Sequence, residues 1–187
     1  MRELALHILD LVQNSIEAGA TRVLLEIIED NAKDKMIIRV TDNGRGMDED
    51  TARKAVDPFV TTRTTRRVGL GLPLIDMSTS RCGGYLKIDS AVGRGTVIEA
   101  AYMHSHLDRP PLGNMVETAK TLIVANPDLD FVYRHSVDGR DFTVATREQT
   151  GILDGVPLTS PDVLNWLHEY LSANMANMYG GVISEDN

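Results

Sequence analysis

The run Met36-Ile37-Ile38-Arg39-Val40-Thr41 ends in Asp42-Asn43-Gly44-Arg45-Gly46-Met47, and no other stretch restricts the fold as tightly. Residues 35–41 read as a strand, rich in β-branched side chains and bounded by turn residues. The strand delivers a carboxylate to its end, followed by two spaced glycines. Glycine at such positions lets backbone come close to a flat ligand. The carboxylate can accept a hydrogen bond from an exocyclic amine of the kind adenine carries. Taken alone, Asp-Asn-Gly is also good turn chemistry, so the surroundings must decide.

Upstream, Leu4, Ile8, Leu11, Val12 and Ile16 recur at helical spacing and Gly19 stops the pattern, which predicts a helix over 3–18. Residues 21–28 read as the partner strand of 35–41, across an acidic, polar turn. Asp48 is placed to cap a short helix over 48–56. Residues 58–68 read as a basic, threonine-rich loop and 69–80 as a helix. Strands over 85–90 and 95–103 flank the turn Ala91-Val92-Gly93-Arg94. This order predicts helices covering one face of a sheet, an α/β (α+β) two-layer sandwich.

Pro110-Pro111 marks a boundary, so two units are expected, 1–104 and 105–187. The second reads as a small α/β extension: a helix over 116–124, a hairpin of 130–137 and 141–146 around Asp138-Gly139-Arg140, and a final helix opened by Ser160-Pro161-Asp162. Residues 179–187 read as a frayed tail. Leu171, Met175 and Met178 form an apolar stripe, expected to pack inward.

A net charge of -8 over 187 residues excludes broad, sequence-blind nucleic-acid binding, which needs a basic face. The single cysteine, Cys82, allows no internal disulfide and fits a reducing compartment. No apolar run approaches the roughly 20 residues of a membrane span, and the first residues lack a signal-peptide pattern. A cytoplasmic protein that uses neither nucleic acid nor membrane is expected.

Four further motifs carry chemistry. Glu3, His7, Asp10, Asn14 and Glu17 recur at helical intervals and share one face of the first helix; alone, such a stripe is usually a solvated surface. Val68-Gly69-Leu70-Gly71-Leu72-Pro73 stands at a loop-to-helix junction, where exposed amides and the helix dipole suit phosphate; alone, it reads as a hinge. The preceding Thr61-Thr62-Arg63-Thr64-Thr65-Arg66-Arg67 concentrates cations and hydroxyls in an acidic protein, and polyphosphate is a fitting counterpart. Finally, Gly93-Arg94-Gly95-Thr96 opens the last strand of the first unit and brings the Thr96 hydroxyl toward Asp42.

In this order the motifs resemble the superfamily of gyrase, the heat-shock chaperone, histidine kinases and MutL (GHKL). Asp10-Leu11-Val12-Gln13-Asn14-Ser15-Ile16-Glu17-Ala18-Gly19-Ala20-Thr21 is similar to the asparagine box of the MutL branch, and DNGRGM to the first glycine box. Asp57-Pro58-Phe59, Gly69-Leu70-Gly71-Leu72, Cys82-Gly83-Gly84 and Ser90-Ala91-Val92-Gly93-Arg94-Gly95-Thr96 are similar to the histidine-kinase branch. The resemblance covers residues 1–104 and implies a Bergerat-type ATP-binding fold, with ATP or ADP and Mg²⁺ as ligands. It implies that Asn14 coordinates Mg²⁺, an amide oxygen for a hard cation. It implies that Asp42 holds the adenine amine, that Gly44 and Gly46 belong to the base pocket, that Met47 packs on the ring and that Thr96 supports Asp42 through water. Gly69, Leu70, Gly71 and Leu72 would wrap the phosphates under a short lid of residues 61–67, in which Thr62 and Arg63 would face the nucleotide.

Two departures from the family bear on chemistry. Hydrolysing members carry a glutamate four residues before the asparagine, where this chain has Asp10, a shorter carboxylate that can still serve as a general base. The chain also begins almost at the asparagine box, without the family's usual leading strand or a phosphoacceptor domain, so autophosphorylation in the histidine-kinase manner is not expected. The resemblance therefore leaves three readings. One is a regulatory phosphotransferase acting on a protein partner, as the anti-sigma-factor kinases do. Another is a slow ATPase switch that homodimerises. The last is a non-catalytic module sensing ATP against ADP. The acidic charge counts against a DNA-repair role.

Overall fold

The computed structural model describes residues 3–57, 71–148 and 156–180. In chain order its elements are α1 (Leu4–Glu17), β1 (Arg22–Asp30), β2 (Lys35–Asp42), α2 (Glu49–Lys54), α3 (Gly71–Arg81), β3 (Tyr85–Ala91), β4 (Gly95–Met103), α4 (Met115–Ala125), β5 (Asp130–Val137), β6 (Arg140–Ala145) and α5 (Pro161–Met178). These match the expected elements to within a few residues at each end. Asp48 caps α2, accepting from the Thr51 amide at 2.7 Å. The expected loop over 58–68 lies outside the described residues.

The strands form a six-stranded sheet in the order β3-β4-β2-β1-β5-β6. Every neighbouring pair is antiparallel except β1 with β5. The period of two that marks each strand divides its residues between two faces. Val23, Leu25 and Ile27 of β1, Met36, Ile38 and Val40 of β2, and Phe131 and Tyr133 of β5 point to the buried face. Residues of α1, α3, α4 and α5 close over them in one hydrophobic core. The opposite face carries a row of alternating charge: Lys87, Glu99, Arg39, Glu26 and Arg134 are successive cross-strand partners. In that row Arg39 lies 2.7 Å from Glu99 and 3.2 Å from Glu26.

The sheet runs across the position where a boundary was expected. β5 hydrogen-bonds beside β1, from Arg22 opposite Asp130 to Glu29 opposite Val137. The connector also ends α1: the Pro111 and Leu112 carbonyls each accept, at 2.9 Å, from the amides of Leu4 and Ala5. Free amides at a helix start need such partners, so the C-terminal half supports the helix that carries Asp10 and Asn14.

A polar cluster fastens this join from the core side. The Glu29 carboxylate accepts from His135 Nε2 at 2.8 Å, from His104 Nε2 at 3.0 Å and from the Tyr179 hydroxyl. His135 Nδ1 lies 2.7 Å from the Tyr133 hydroxyl. A carboxylate can only accept, so Nε2 carries the proton in the bond to Glu29. Burial alone would raise the Glu29 pKa, but the three donors overcome it and hold the carboxyl at about 2. Tyr179, expected to fray, is thus docked, and only residues 181–187 of the expected tail lie outside the described residues.

At the start of α5, Ser160 occupies the cap position with an extended backbone, but its side chain makes no capping bond. Its Oγ is buried without a partner among the described residues. Proline at the next position has no amide to satisfy, which reduces the need for a cap. Leu171 and Met178 are buried and Met175 packs against the core, as expected. Trp166 is exposed instead, stacked on Tyr170 with ring centroids 5.4 Å apart.

Candidate functional site

Three segments converge at the end of β2. Asp42, the last residue of that strand, is buried, with only 8% of its surface exposed. Its Oδ2 accepts from the Ser15 hydroxyl of α1 at 2.8 Å, and its Oδ1 from the Gly44 amide at 2.8 Å. A carboxylate offers about four acceptor sites, so these donors leave capacity for a ligand amine. Asn43 turns the other way: its Oδ1 accepts from the Thr21 and Arg22 amides, each at 2.9 Å, and locks the loop to the start of β1.

The glycines of this loop are demanded by the fold. Gly46 has φ +65°, and a Cβ there would lie 2.0 Å from the Ala91 carbonyl oxygen. A Cβ at Gly95 would lie 2.0 Å from the Asp42 carbonyl oxygen. The loop and the β3–β4 hairpin therefore press backbone to backbone. The Gly93 amide donates to the Arg45 carbonyl at 2.7 Å, and the Arg45 amide to the Ala18 carbonyl at 2.9 Å. The end of α1, the glycine loop and the hairpin form one tied unit.

Thr96 is the cross-strand partner of Asp42 and is itself buried. Its hydroxyl lies 2.9 Å from Ser90 Oγ, which also accepts from the Met47 amide at 2.8 Å. Met47 is half-buried at the rim of the unit.

Along α1 from Ser15, Asn14 is half-buried and Asp10 exposed, one turn apart on one face. A Cβ built on Gly71 would lie 3.5 Å from the Asp10 Cβ and 3.8 Å from its Oδ2, so this carboxylate stands at the start of α3. Leu72 follows, packed against the core. The structure thus gathers Asp10, Asn14, Asp42, Gly44, Gly46, Met47, Gly71, Leu72 and Thr96 around one side of the sheet's end. The expected contacts at Thr62, Arg63, Gly69 and Leu70 lie outside the described residues. A shallow hollow of about 240 Å³, lined by Lys33, Lys35, Gly84, Tyr85 and Met103 among others, lies at the far ends of β2 and β4 and is no part of this site.

Sequence reasoning missed Ser15 and Ser90 as working residues, although both stand inside quoted motifs. Ser15 had a visible signal. It falls at helical spacing with Leu4, Ile8 and Leu11, so it is a polar residue on the apolar face and must find a partner there.

Among the described residues no group of three histidine, cysteine or acidic side chains stands ready to hold a metal ion. The Asn14 side chain offers an amide oxygen, a ligand type that suits a hard cation.

Residues 2–106 match the family model of histidine kinase-, DNA gyrase B- and HSP90-like ATPases. The chain belongs to this family. A sensor histidine kinase, ZraS of Salmonella typhi, is 32% identical over 91 residues, 48% of this chain and 19% of that protein. The DNA mismatch repair protein MutL of Chlorobium phaeobacteroides is 43% identical over 54 residues, 29% of this chain and 8% of that one. The matched stretch is thus under a fifth of either relative. Among solved structures, the N-terminal domain of a DNA repair protein superimposes with a TM-score of 0.54 at 15% identity, covering 78% of this chain and 53% of its own; that likeness is one of fold. Family membership supports nucleotide binding, and both named branches of the sequence resemblance recur among these relatives. No helix among the described residues is long and apolar enough to cross a membrane.

Proposed function

We propose that this chain binds ATP with Mg²⁺ at the Asp42–Thr96 end of the sheet and transfers the γ-phosphate to a hydroxyl of a protein partner. The observation that carries the reading is the placement of two carboxylates with opposite surroundings. Asp42 is buried and fed by two donors, as a group that recognises a base should be. Asp10 is exposed beside the first residue of α3, where a helix start favours phosphate and a general base can meet an incoming hydroxyl. Asn14 would hold the Mg²⁺, which supplies positive charge to the phosphates.

A second reading keeps the same site and replaces the protein hydroxyl by water, giving a slow ATPase switch. The exposure of Asp10 serves either acceptor. Calorimetric titration with ATP and Mg²⁺, beside an Asp42→Asn variant, tests the pocket. Binding by the parent and none by the variant is expected; equal binding by both sinks the assignment of Asp42. With γ-labelled ATP, label on a serine or threonine of a second protein supports transfer, and labelled free phosphate alone supports the switch.

A further inference from the structure

We infer that the connector between β4 and α4 is a positioning element for Asp10: residues 111–113 fix the start of α1 and, through that helix, the carboxylate that serves as the base. The inference rests on the γ-phosphate reading above. Among the described residues the Asp10 side chain makes no hydrogen bond and no ion pair, so its place is set by the helix that carries it. α1 is held at both ends. At the far end the Ser15 hydroxyl donates to Asp42 at 2.8 Å, and the Ala18 carbonyl accepts from the Arg45 amide at 2.9 Å. At the start Glu3 occupies the cap position but makes no side-chain capping bond, and the amides of Leu4 and Ala5 donate to Pro111 and Leu112 instead. At a rise of about 1.5 Å per residue, Asp10 lies roughly 9 Å from Leu4 and roughly 7–8 Å from Ser15, near the middle of the rod.

The connector can fix that start because it is itself pinned. The His104 ring donates to Glu29 at 3.0 Å, the Ser105 amide and hydroxyl donate to Asp34 at 2.7 and 2.8 Å, and Arg109 Nε donates to the His104 carbonyl at 2.7 Å. Gly113 closes the contact. Its φ is +86°, and a Cβ there would lie 2.5 Å from Glu3 Oε2 and 2.9 Å from the Ala5 Cβ. The Glu3 side chain can swing aside, but Ala5 is buried and moves only with the helix. Carbon atoms pack at about 3.5–4.0 Å, so Gly113→Ala displaces the start of α1 by on the order of 1 Å. With the far end tied to Asp42, about half of that reaches Asp10 and little reaches Asn14, the neighbour of Ser15. Catalytic groups must stand within about 0.5 Å of their productive place. The connector therefore governs turnover more than affinity, and it acts through Asp10 without touching the nucleotide.

The experiment measures ATP affinity by calorimetry and loss of the γ-phosphate from labelled ATP, each with Mg²⁺, for the whole chain, Gly113→Ala and Gly139→Ala. Gly139 also has a positive φ, +82°, but lies in the β5–β6 turn with nothing within 4 Å of an added Cβ. Its substitution strains the backbone in the same way and leaves α1 alone. Gly113→Ala is expected to lower turnover on the order of tenfold while ATP affinity stays within about twofold. Gly139→Ala changes neither. In an Asp10→Ala background, Gly113→Ala lowers turnover no further. Unchanged turnover in Gly113→Ala, an equal loss of affinity, or the same loss in Gly139→Ala overturns the inference and leaves ATP binding standing. Where Gly113→Ala does not fold, hydrogen exchange in the unaltered chain decides. The Leu4 and Ala5 amides should exchange as slowly as those of the sheet, and rapid exchange, as from an open helix start, overturns the inference. ATP binding without turnover in the unaltered chain removes the chemistry that Asp10 would serve, and this inference with it. Absence of ATP binding overturns the proposed function itself.

Discussion

Ser15 donates its hydroxyl to Oδ2 of Asp42 across 2.8 Å, and both side chains are buried. The helix that carries Asn14 and the strand end that carries the proposed base-recognition carboxylate are therefore joined directly by a buried hydrogen bond. Ser15→Ala leaves one Asp42 oxygen without that donor. A bond to a charged group contributes about 1.5–3 kcal/mol, so the variant is expected to unfold at lower urea and to bind ATP and ADP more weakly by the same factor. Unequal losses for the two nucleotides would place the effect at the γ-phosphate and count against this role.

Gly46 and Gly93 both have positive φ, +65° and +77°, but only Gly46 faces a wall. Gly93→Ala meets nothing within 4 Å and is expected to cost about 1 kcal/mol of backbone strain. Gly46→Ala drives a methyl group into the Ala91 carbonyl and is expected to cost about 3 kcal/mol or more, by separating the loop from the hairpin. Urea titrations of the two variants should differ clearly; similar midpoints would mean that the loop and hairpin are not pressed together.

Asp10→Ala is expected to leave ATP affinity unchanged, because the side chain is exposed and lies away from Asp42 along α1. Turnover of the γ-phosphate, to a protein or to water, should fall by about 10²–10⁴-fold, the range of a general base. Undiminished turnover would remove Asp10 from the chemistry.

Glu29 has a folded pKa of about 2 against 4.5 for the free side chain. A folded value below the unfolded one stabilises the protein at pH above 4.5. That contribution is lost as pH falls toward about 2. The difference corresponds to on the order of 3 kcal/mol. Glu29→Gln should be less stable at neutral pH, because His104, His135 and Tyr179 lose a charged acceptor, and its stability should fall less between pH 4.5 and 2. Urea unfolding across that range, parent beside variant, checks the point; parallel acid limbs would mean that another carboxyl governs acid unfolding. Tyr179→Phe removes one of the donors that hold the Glu29 carboxyl down; it should cost about 1 kcal/mol at neutral pH and lessen the loss of stability between pH 4.5 and 2.

The elements were legible because each rests on a local rule. Runs rich in β-branched residues and bounded by turn residues mark strands over 21–28 and 35–41, helical spacing marks Leu4, Ile8 and Leu11, and Asp48 announces its own cap. The order of the motifs also led to the expectation that Asp10, Asn14, Asp42 and Thr96 stand at one site, through a family resemblance that the match over residues 2–106 bears out. Tertiary structure alone decided what lies beside β1. That strand's outer edge is paired by β5, more than a hundred residues later, and the Glu29 cluster draws His135 and Tyr179 from 106 and 150 residues away. Alternation says that a strand has a face to bury, but several strands satisfy it equally, and the partner is chosen by which long-range packing closes the core. The same holds for Ser15 and Ser90: each was visible as a serine in a motif, and only the approach of α1 to β2, and of the β3–β4 hairpin to the glycine loop, gave either hydroxyl something to hold.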